Sequence, residues 1–212
     1  MQDLERGSSK PEYKAAEPPP LDHIPLPDLT LIRPTQYSAM AIQYSREYPL
    51  NDEFGDLLEG FWRPHRTKSV AQVIIELEQL YHRKWRGPVF LVEDNLIGNK
   101  RNVKPLLAAV AEWNSLRRRP FAFFTQASVY LADDSELLEL MKDAGFIRVI
   151  VGIDSSVPTH TKGPLKRRHT DRTLYERVRC IQQYGIEVMA ASTVGIEHNT
   201  EEKFDPPNNY IQ

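Results

Sequence analysis

The feature that most constrains the fold is an alternation of short apolar runs with amphipathic helical patterns from residue 37 onward. Five apolar runs are predicted strands: residues 40–44, 89–92, 121–125, 147–153 and 186–194. Four segments between them are predicted helices: residues 69–84, 102–115, 133–144 and 170–184. Strands that alternate with helices form parallel βαβ units. The sequence therefore predicts an α/β fold: either a partial (βα) barrel of about five parallel strands with outer helices, or an open twisted sheet. Periodicity alone does not choose between the two.

Capping residues mark the predicted helix boundaries. Ser69 with Gln72, and Asp133 with Glu136, have the spacing of a capping box. Glycines follow three of the helices and are predicted to end them: Gly87, Gly145 and Gly185. The predicted strands end in polar residues, and in barrels of parallel strands the functional groups lie at the carboxyl ends of the strands. We therefore expect any site at that end of the sheet.

The amino-terminal segment has a different composition from the rest of the chain. Residues 1–36 contain seven of the sixteen prolines, and proline fixes φ and removes a backbone donor. The predicted organisation is a proline-rich tail or linker over residues 1–36, extended rather than helical, followed by one domain over residues 37–212.

The composition excludes several classes of function. The net charge is −2, which favours neither nucleic acid nor an anionic membrane as a partner. The first residues are polar and lack the apolar core of a signal peptide, so a cytoplasmic location is expected. Cys180 is the one cysteine, which excludes an intrachain disulfide and a multi-cysteine metal site; no metal site is predicted.

One loop gives the chain a family resemblance. Residues 41–56 resemble the cluster loop of radical S-adenosylmethionine enzymes, in which a strand and a Ser-Arg-Gly-type turn precede the motif CxxxCxxC. Tyr48, Asp52 and Gly55 have the spacing of the three cysteines, and the residues around them match the pattern. By this resemblance all three cluster cysteines have been replaced.

Further matches occur in the order that the family has. Residues 63–69 resemble the turn into its first helix, 92–100 resemble its segment DDNFIGNK, 124–128 the end of its third strand, 151–155 its GIES segment, and 188–195 its fifth strand. The chain is thereby identified as a member of the radical S-adenosylmethionine superfamily, of the type associated with a cobalamin-binding domain. The resemblance implies that residues 37–212 are a truncated barrel without that domain and without the sixth βα unit.

The resemblance also bears on cofactors. The family's [4Fe–4S] cluster is held by three thiolates, which are soft anionic ligands suited to iron, whereas Tyr48 and Asp52 offer oxygen and Gly55 offers no side chain. We therefore expect no iron–sulfur cluster and no cofactor, with S-adenosylmethionine as the one open alternative. The acidic residues of this loop could suit a divalent ion, but a solvated loop is favoured.

Several polar residues at predicted strand ends are candidates for binding a ligand. By the resemblance, Glu93, Asp94 and Asn95 lie where the family contacts the amino group of S-adenosylmethionine. Gln126, Ser128 and Asp154 are expected nearby, on the side of the ribose. The competing interpretation is that such residues cap the helices that follow. No catalytic residue is predicted.

The sequence leaves several functions open. The favoured one is a degenerate radical S-adenosylmethionine protein without radical chemistry, which acts by binding a protein or small molecule; enzymatic activity is left undecided. The alternatives are an S-adenosylmethionine-binding enzyme with non-radical chemistry, and an active family member with a non-standard cluster site. A protein partner or a second copy is expected at the open edge of the sheet, and neither nucleic acid nor membrane is expected.

Overall fold

A five-stranded parallel sheet forms the centre of the protein. The computed structural model describes residues 2–10, 12–13, 19–46, 66–153 and 172–191. In chain order the strands are β1 (Met40–Gln43), β2 (Ser45–Arg46), β3 (Arg66–Thr67), β4 (Pro88–Val92), β5 (Ala122–Gln126), β6 (Phe146–Gly152) and β7 (Glu187–Ala191). The sheet has the order β1-β4-β5-β6-β7 with all neighbours parallel, and β2 pairs with β3 in a separate antiparallel ribbon. The predicted fold class is confirmed.

The strands of this sheet are connected by α2 (Val70–His82), α3 (Lys100–Leu116), α4 (Ser135–Ala144) and α5 (Leu174–Gln183). A further short helix, α1 (Gln2–Glu5), precedes β1. Short 3-10 helices precede β1 at Leu21–His23, Leu29–Leu31 and Pro34–Gln36, and two more follow β4 and β5 at Leu96–Asn99 and Val129–Asp133. No helix in the described ranges combines the length and the apolarity that crossing a bilayer needs.

Alternate strand residues separate the two faces of the sheet. Ile42, Leu91 and Val149 are buried against the helices, as are the apolar stripes of α2, α3 and α4. The other face is half-exposed, and paired residues of parallel strands point to the same face. One row across it consists of Ala41, Phe90, Phe124, Arg148 and Glu187. The helices thus cover one face, which is the outer face of a partial barrel.

The predicted helix 170–184 begins at Leu174 in the structure, and two of the predicted capping residues differ as well. Asp134, rather than Asp133, caps α4 by accepting from the amide of Leu137 at 3.1 Å, while Asp133 pairs with Arg177. The helix α2 ends at His82, so Gly87 is too distant to end it, and Lys84 takes the left-handed conformation instead, with φ 61°. The capping box of Ser69 and Gln72 is confirmed, as are the helix ends at Gly145 and Gly185.

The segment before the sheet contacts the barrel at several points. Leu21 is buried, and the side-chain amide of Gln72 donates to the carbonyls of Leu21 and Asp22 at 3.0 and 3.1 Å. Leu31, in contrast, is exposed. The prediction that residues 1–36 are extended rather than helical is therefore wrong in part. The segment contains α1 and three 3-10 helices, because isolated turns satisfy local backbone groups between the prolines.

Candidate functional site

Glu93 is the buried centre of the carboxyl end of the sheet. It follows β4 directly, and only 5% of its surface is exposed to solvent. One carboxylate oxygen accepts from the amides of Tyr44 and Ser45, at 2.7 Å each, and the other accepts from the Ser45 hydroxyl. Three donors on Tyr44 and Ser45, the two residues that follow β1, therefore converge on this carboxylate. Glu93 thereby links the end of β4 to the start of β2.

Burial determines the electrostatics of this carboxyl group. Desolvation raises the pKa of Glu93 above its ordinary value, and the neighbouring Asp94 carboxylate acts in the same direction. The hydrogen bonds from Ser45 and Tyr44 lower the pKa of Glu93 but do not cancel the effect of burial. The carboxyl group of Glu93 therefore takes up a proton at a higher pH than an exposed glutamate does.

The ribbon of β2 and β3 lies beside Glu93 and joins the two ends of the segment 47–65. Ser45 pairs with Thr67, and the amide of Lys68 donates to the carbonyl of Tyr44 at 2.8 Å. The ammonium group of Lys68 is buried in an ion pair with Glu76 of α2. The described residues on either side of positions 47–65 are therefore held in place by buried hydrogen bonds and a buried ion pair.

Asn95 and Ser128 link the next two strand ends. The side-chain oxygen of Asn95 accepts from the amide of Ser128 at 3.0 Å, and the Ser128 hydroxyl caps the following 3-10 helix by accepting from the amide of Tyr130 at 3.3 Å. Asn95 and Ser128, which the sequence places near each other, are therefore in direct contact in the structure. Neither caps α3, because Asn99 does so through the amide of Asn102.

Asp94 and Gln126 are the polar side chains that this framework leaves unused. Asp94 is exposed and Gln126 is half-buried at the end of β5. Within the described residues neither side chain has a hydrogen bond or an ion pair. The carboxyl end of the sheet therefore offers a free carboxylate and a free amide above a rigid base.

The remaining predicted positions lie elsewhere in the chain. Tyr48, Asp52, Gly55 and Asp154 are outside the described residues, so their roles stay predictions. The sequence does not single out Ser45 and Tyr44, which hold Glu93, because backbone donors leave no compositional signal. Their position at the polar end of the predicted strand 40–44 is the one sign that the sequence gives of them.

The fold and this end of the sheet define a class: a partial barrel of parallel strands with helices outside and a polar site at the carboxyl ends of the strands. The model of the family "Radical SAM superfamily" matches residues 44–206. The chain belongs to the radical S-adenosylmethionine superfamily, as its sequence motifs predicted.

Two relatives are similar over most of the chain. An uncharacterized methyltransferase, sll1242, from Synechocystis sp. is 39% identical over 194 residues, which are 92% of this chain and 36% of that protein. The hopanoid C-2 methylase of Rhodopseudomonas palustris is 34% identical over 178 residues, 84% of this chain and 34% of the relative. The chain thus spans about a third of the length of these relatives.

Two solved structures share the fold. The cobalamin-dependent S-adenosylmethionine radical enzyme OxsB, solved with aqua-cobalamin and S-adenosylmethionine bound, matches 90% of this chain and 31% of its own, with a TM-score of 0.67 and 14% identity. The radical S-adenosylmethionine methyltransferase TsrM from Kitasatospora setae, solved with cobalamin and a [4Fe–4S] cluster, matches 77% of this chain and 32% of its own, with a TM-score of 0.65 and 16% identity.

These comparisons correct the cofactor prediction. The sequence predicts no cofactor and no iron–sulfur cluster, with S-adenosylmethionine as the open alternative. OxsB was solved with aqua-cobalamin and S-adenosylmethionine, and TsrM with cobalamin and a [4Fe–4S] cluster, so the prediction of no cofactor is wrong for this family. Its error was to infer the cofactors of a whole protein from one loop.

The side chains of this chain suit S-adenosylmethionine better than they suit an iron–sulfur cluster. Thiolates are what a [4Fe–4S] cluster requires, and residues 47–65 contain no cysteine. Cys180 is on α5, where its thiol lies 3.5 Å from the carbonyl of Ala132. The residues present therefore do not supply the thiolate set that a cluster needs. The free oxygens of Asp94 and Gln126 do fit the ammonium and hydroxyl groups of S-adenosylmethionine.

Proposed function

We propose that this chain binds S-adenosylmethionine at the carboxyl end of its sheet and does not generate a radical from ligands of its own. The observation that carries the proposal is the pair of consecutive carboxylates after β4. Glu93 is buried and already accepts three hydrogen bonds, whereas Asp94 is exposed and has no partner among the described residues. A free carboxylate on a fixed base suits the ammonium of an amino acid.

The roles of the other side chains follow from their positions. Gln126 has an unengaged amide at the end of β5, next to the strand that Glu93 follows. Ser128 follows Gln126 by two residues, and its backbone amide donates to the side-chain oxygen of Asn95. Short polar groups of this kind hydrogen-bond to hydroxyls, so they are assigned to the ribose. Two relatives named methyltransferase and methylase support S-adenosylmethionine as the ligand.

Calorimetric titration of the chain with S-adenosylmethionine tests the proposal. We expect measurable binding, and Asp94→Asn should weaken it about tenfold, since one charge-assisted hydrogen bond contributes roughly 1.5 kcal/mol. Asp143→Asn is the matched control, because Asp143 is an exposed aspartate on α4 at the other end of the sheet, and its affinity should be unchanged. Absence of binding at millimolar ligand would refute the proposal.

A second experiment separates binding from radical chemistry. The chain is reconstituted anaerobically with iron and sulfide, and iron content and reductive cleavage of S-adenosylmethionine are measured. We expect no cleavage. About four irons per chain together with cleavage of S-adenosylmethionine would contradict the non-radical part of the proposal and leave the binding part standing.

A further inference from the structure

The four helices of the barrel end together at the amino end of the sheet. Each runs antiparallel to the strand that follows it, so the loops after α2, α3, α4 and α5 all lead into the starts of strands. The loops after α4 and α5 contain Gly145 and Gly185 at positive φ, 94° and 77°. These two helices therefore end with the residue that suits the left-handed conformation.

The other two helices end differently. After α2 the left-handed position is Lys84, with φ 61°, and after α3 it is Arg118, with φ 61°, followed by Arg119 with φ 53°. These three are the non-glycine residues with positive φ in the described part of the chain, and all are cations. A side chain with a Cβ is unfavourable in this conformation, so the chain carries cations where glycine would relieve strain.

These residues belong to a larger group, which we name the amino-end basic cluster: Arg83, Lys84, Arg86, Arg117, Arg118 and Arg119. Two neighbouring loops supply it, since one leads into β4 and the other into the adjacent β5. Arg117 pairs with Glu78 at 2.7 Å. Among the described residues, no carboxylate lies within ion-pair distance of Lys84, Arg118 or Arg119.

An aromatic ring holds the two loops side by side. The guanidinium of Arg86 lies 3.8 Å from the centroid of the Tyr81 ring, and that of Arg117 lies 5.8 Å from the same centroid and 4.6 Å from that of Trp113. Cation–π contacts with one ring restrict both guanidinium groups. The cluster is therefore partly pre-organised and is not a set of independent flexible side chains.

We infer that the amino-end basic cluster binds a carboxylate-rich segment of a protein partner. Five of its six cations are arginines, whose planar groups pair with carboxylates in a bidentate and directional way. The rings of Tyr81 and Trp113 are already covered by guanidinium groups, so they do not offer stacking faces to nucleobases. Leu116, which is 74% exposed beside Arg117, adds an apolar contact for a peptide.

A purely structural role for these cations makes the opposite prediction about stability. Cations at helix carboxyl ends complement the helix dipole, and their removal would then lower the melting temperature. If they serve a partner at the expense of backbone strain, replacement by glycine raises the melting temperature while it weakens binding. The two roles are therefore separated by measuring stability and binding on the same variant.

The probe is a fluorescein-labelled decaglutamate peptide, and binding is followed by fluorescence anisotropy at low salt. The variant is Lys84→Gly with Arg118→Gly and Arg119→Gly. We expect about tenfold weaker binding and a melting temperature higher by about 5 °C. The control, Arg6→Gln with Lys10→Gln and Arg101→Gln, removes three exposed cations located elsewhere and should bind the peptide like the parent chain.

Other outcomes overturn the inference. Equal peptide binding by the triple glycine variant and the parent would do so, as would no binding by the parent. Stronger, variant-sensitive binding to duplex DNA or to phosphatidylglycerol vesicles would replace the protein partner with another polyanion and refute this assignment. Should the glycine variant fail to fold, the triple glutamine variant at the same positions carries the binding test.

Discussion

At the scale of single residues, Glu93 is the side chain whose replacement reveals most about the site. Glu93→Ala leaves the amides of Tyr44 and Ser45 without their acceptor in a buried place, and we expect a loss of about 2–4 kcal/mol in the free energy of unfolding. Glu93→Gln keeps an oxygen for both amides and removes a buried charge, so its cost should stay within about 1 kcal/mol. Urea unfolding of both variants measures the difference.

The raised pKa of Glu93 also predicts how stability depends on pH. Burial raises the folded-state pKa above the unfolded value, so between these two values the folded chain keeps a proton that the unfolded chain has released. Stability contributed by this group is complete below the unfolded pKa and falls as pH rises through the folded pKa. Glu93→Gln should remove this component of the pH dependence. An unchanged slope in the variant would show that other groups are responsible.

At the scale of secondary-structure elements, two glycines at equivalent helix ends form a matched pair. Gly145 has φ 94°, and a Cβ there would lie 2.8 Å from the side-chain nitrogen of Asn114, while Gly185 has φ 77° and open space around it. Gly185→Ala should therefore cost about 1 kcal/mol, from the backbone alone. Gly145→Ala should cost about 2–3 kcal/mol, because a steric conflict is added. Equal melting temperatures for the two variants would argue against this account.

The surroundings of Asn114 explain why the first glycine is the more sensitive. Its buried side-chain amide donates to the carbonyls of Phe121 and Ala144 at 3.1 and 3.0 Å, and its oxygen accepts from the amide of Phe121 at 3.3 Å. One side chain thereby joins the ends of α3 and α4 to the start of β5. A Cβ on Gly145 would press on this junction.

Elements were more predictable from the sequence than contacts were. The capping box at Ser69 depends on residues three apart, so local spacing suffices to find it. The choice of Asp134 over Asp133 as a cap depends on Lys100 and Arg177, which are distant in sequence. Likewise, Glu93 was correctly placed at the carboxyl end of a strand. Its three donors come from Tyr44 and Ser45, however, which are almost fifty residues earlier in the chain, and periodicity contains no information about such pairing.

The ion pairs of Asp134 show the same dependence on tertiary contacts. Burial alone would raise the pKa of Asp134, but hydrogen bonds from Lys100 and the amide of Leu137, together with the charges of Lys100 and Lys104, lower it below its ordinary value. The side chain therefore caps α4 and joins α3 to α4 at once. A sequence pattern identifies the first role and cannot identify the second.

At the scale of the whole molecule, the two ends of the sheet carry opposite chemistry. The carboxyl end presents the acidic and amide groups of Asp94 and Gln126, and the amino end presents the basic cluster. A net charge of −2 for the chain averages over both ends and hides this separation. Composition therefore constrains a partner less than the arrangement of charges does.

The two faces of the sheet can be compared through consecutive phenylalanines of β5. Phe123 is 2% exposed and points toward the helices, whereas Phe124 stacks on Phe90 with 4.8 Å between ring centroids, on the half-exposed inner face. Phe123→Ala should lower the free energy of unfolding by about 3–5 kcal/mol, and Phe124→Ala by about 1–2 kcal/mol, because less apolar surface returns to water. Urea unfolding with a constant m-value is the measurement. Equal losses would mean that the inner face is packed as tightly as the outer one, which would contradict a barrel with helices outside and an interior open to a ligand.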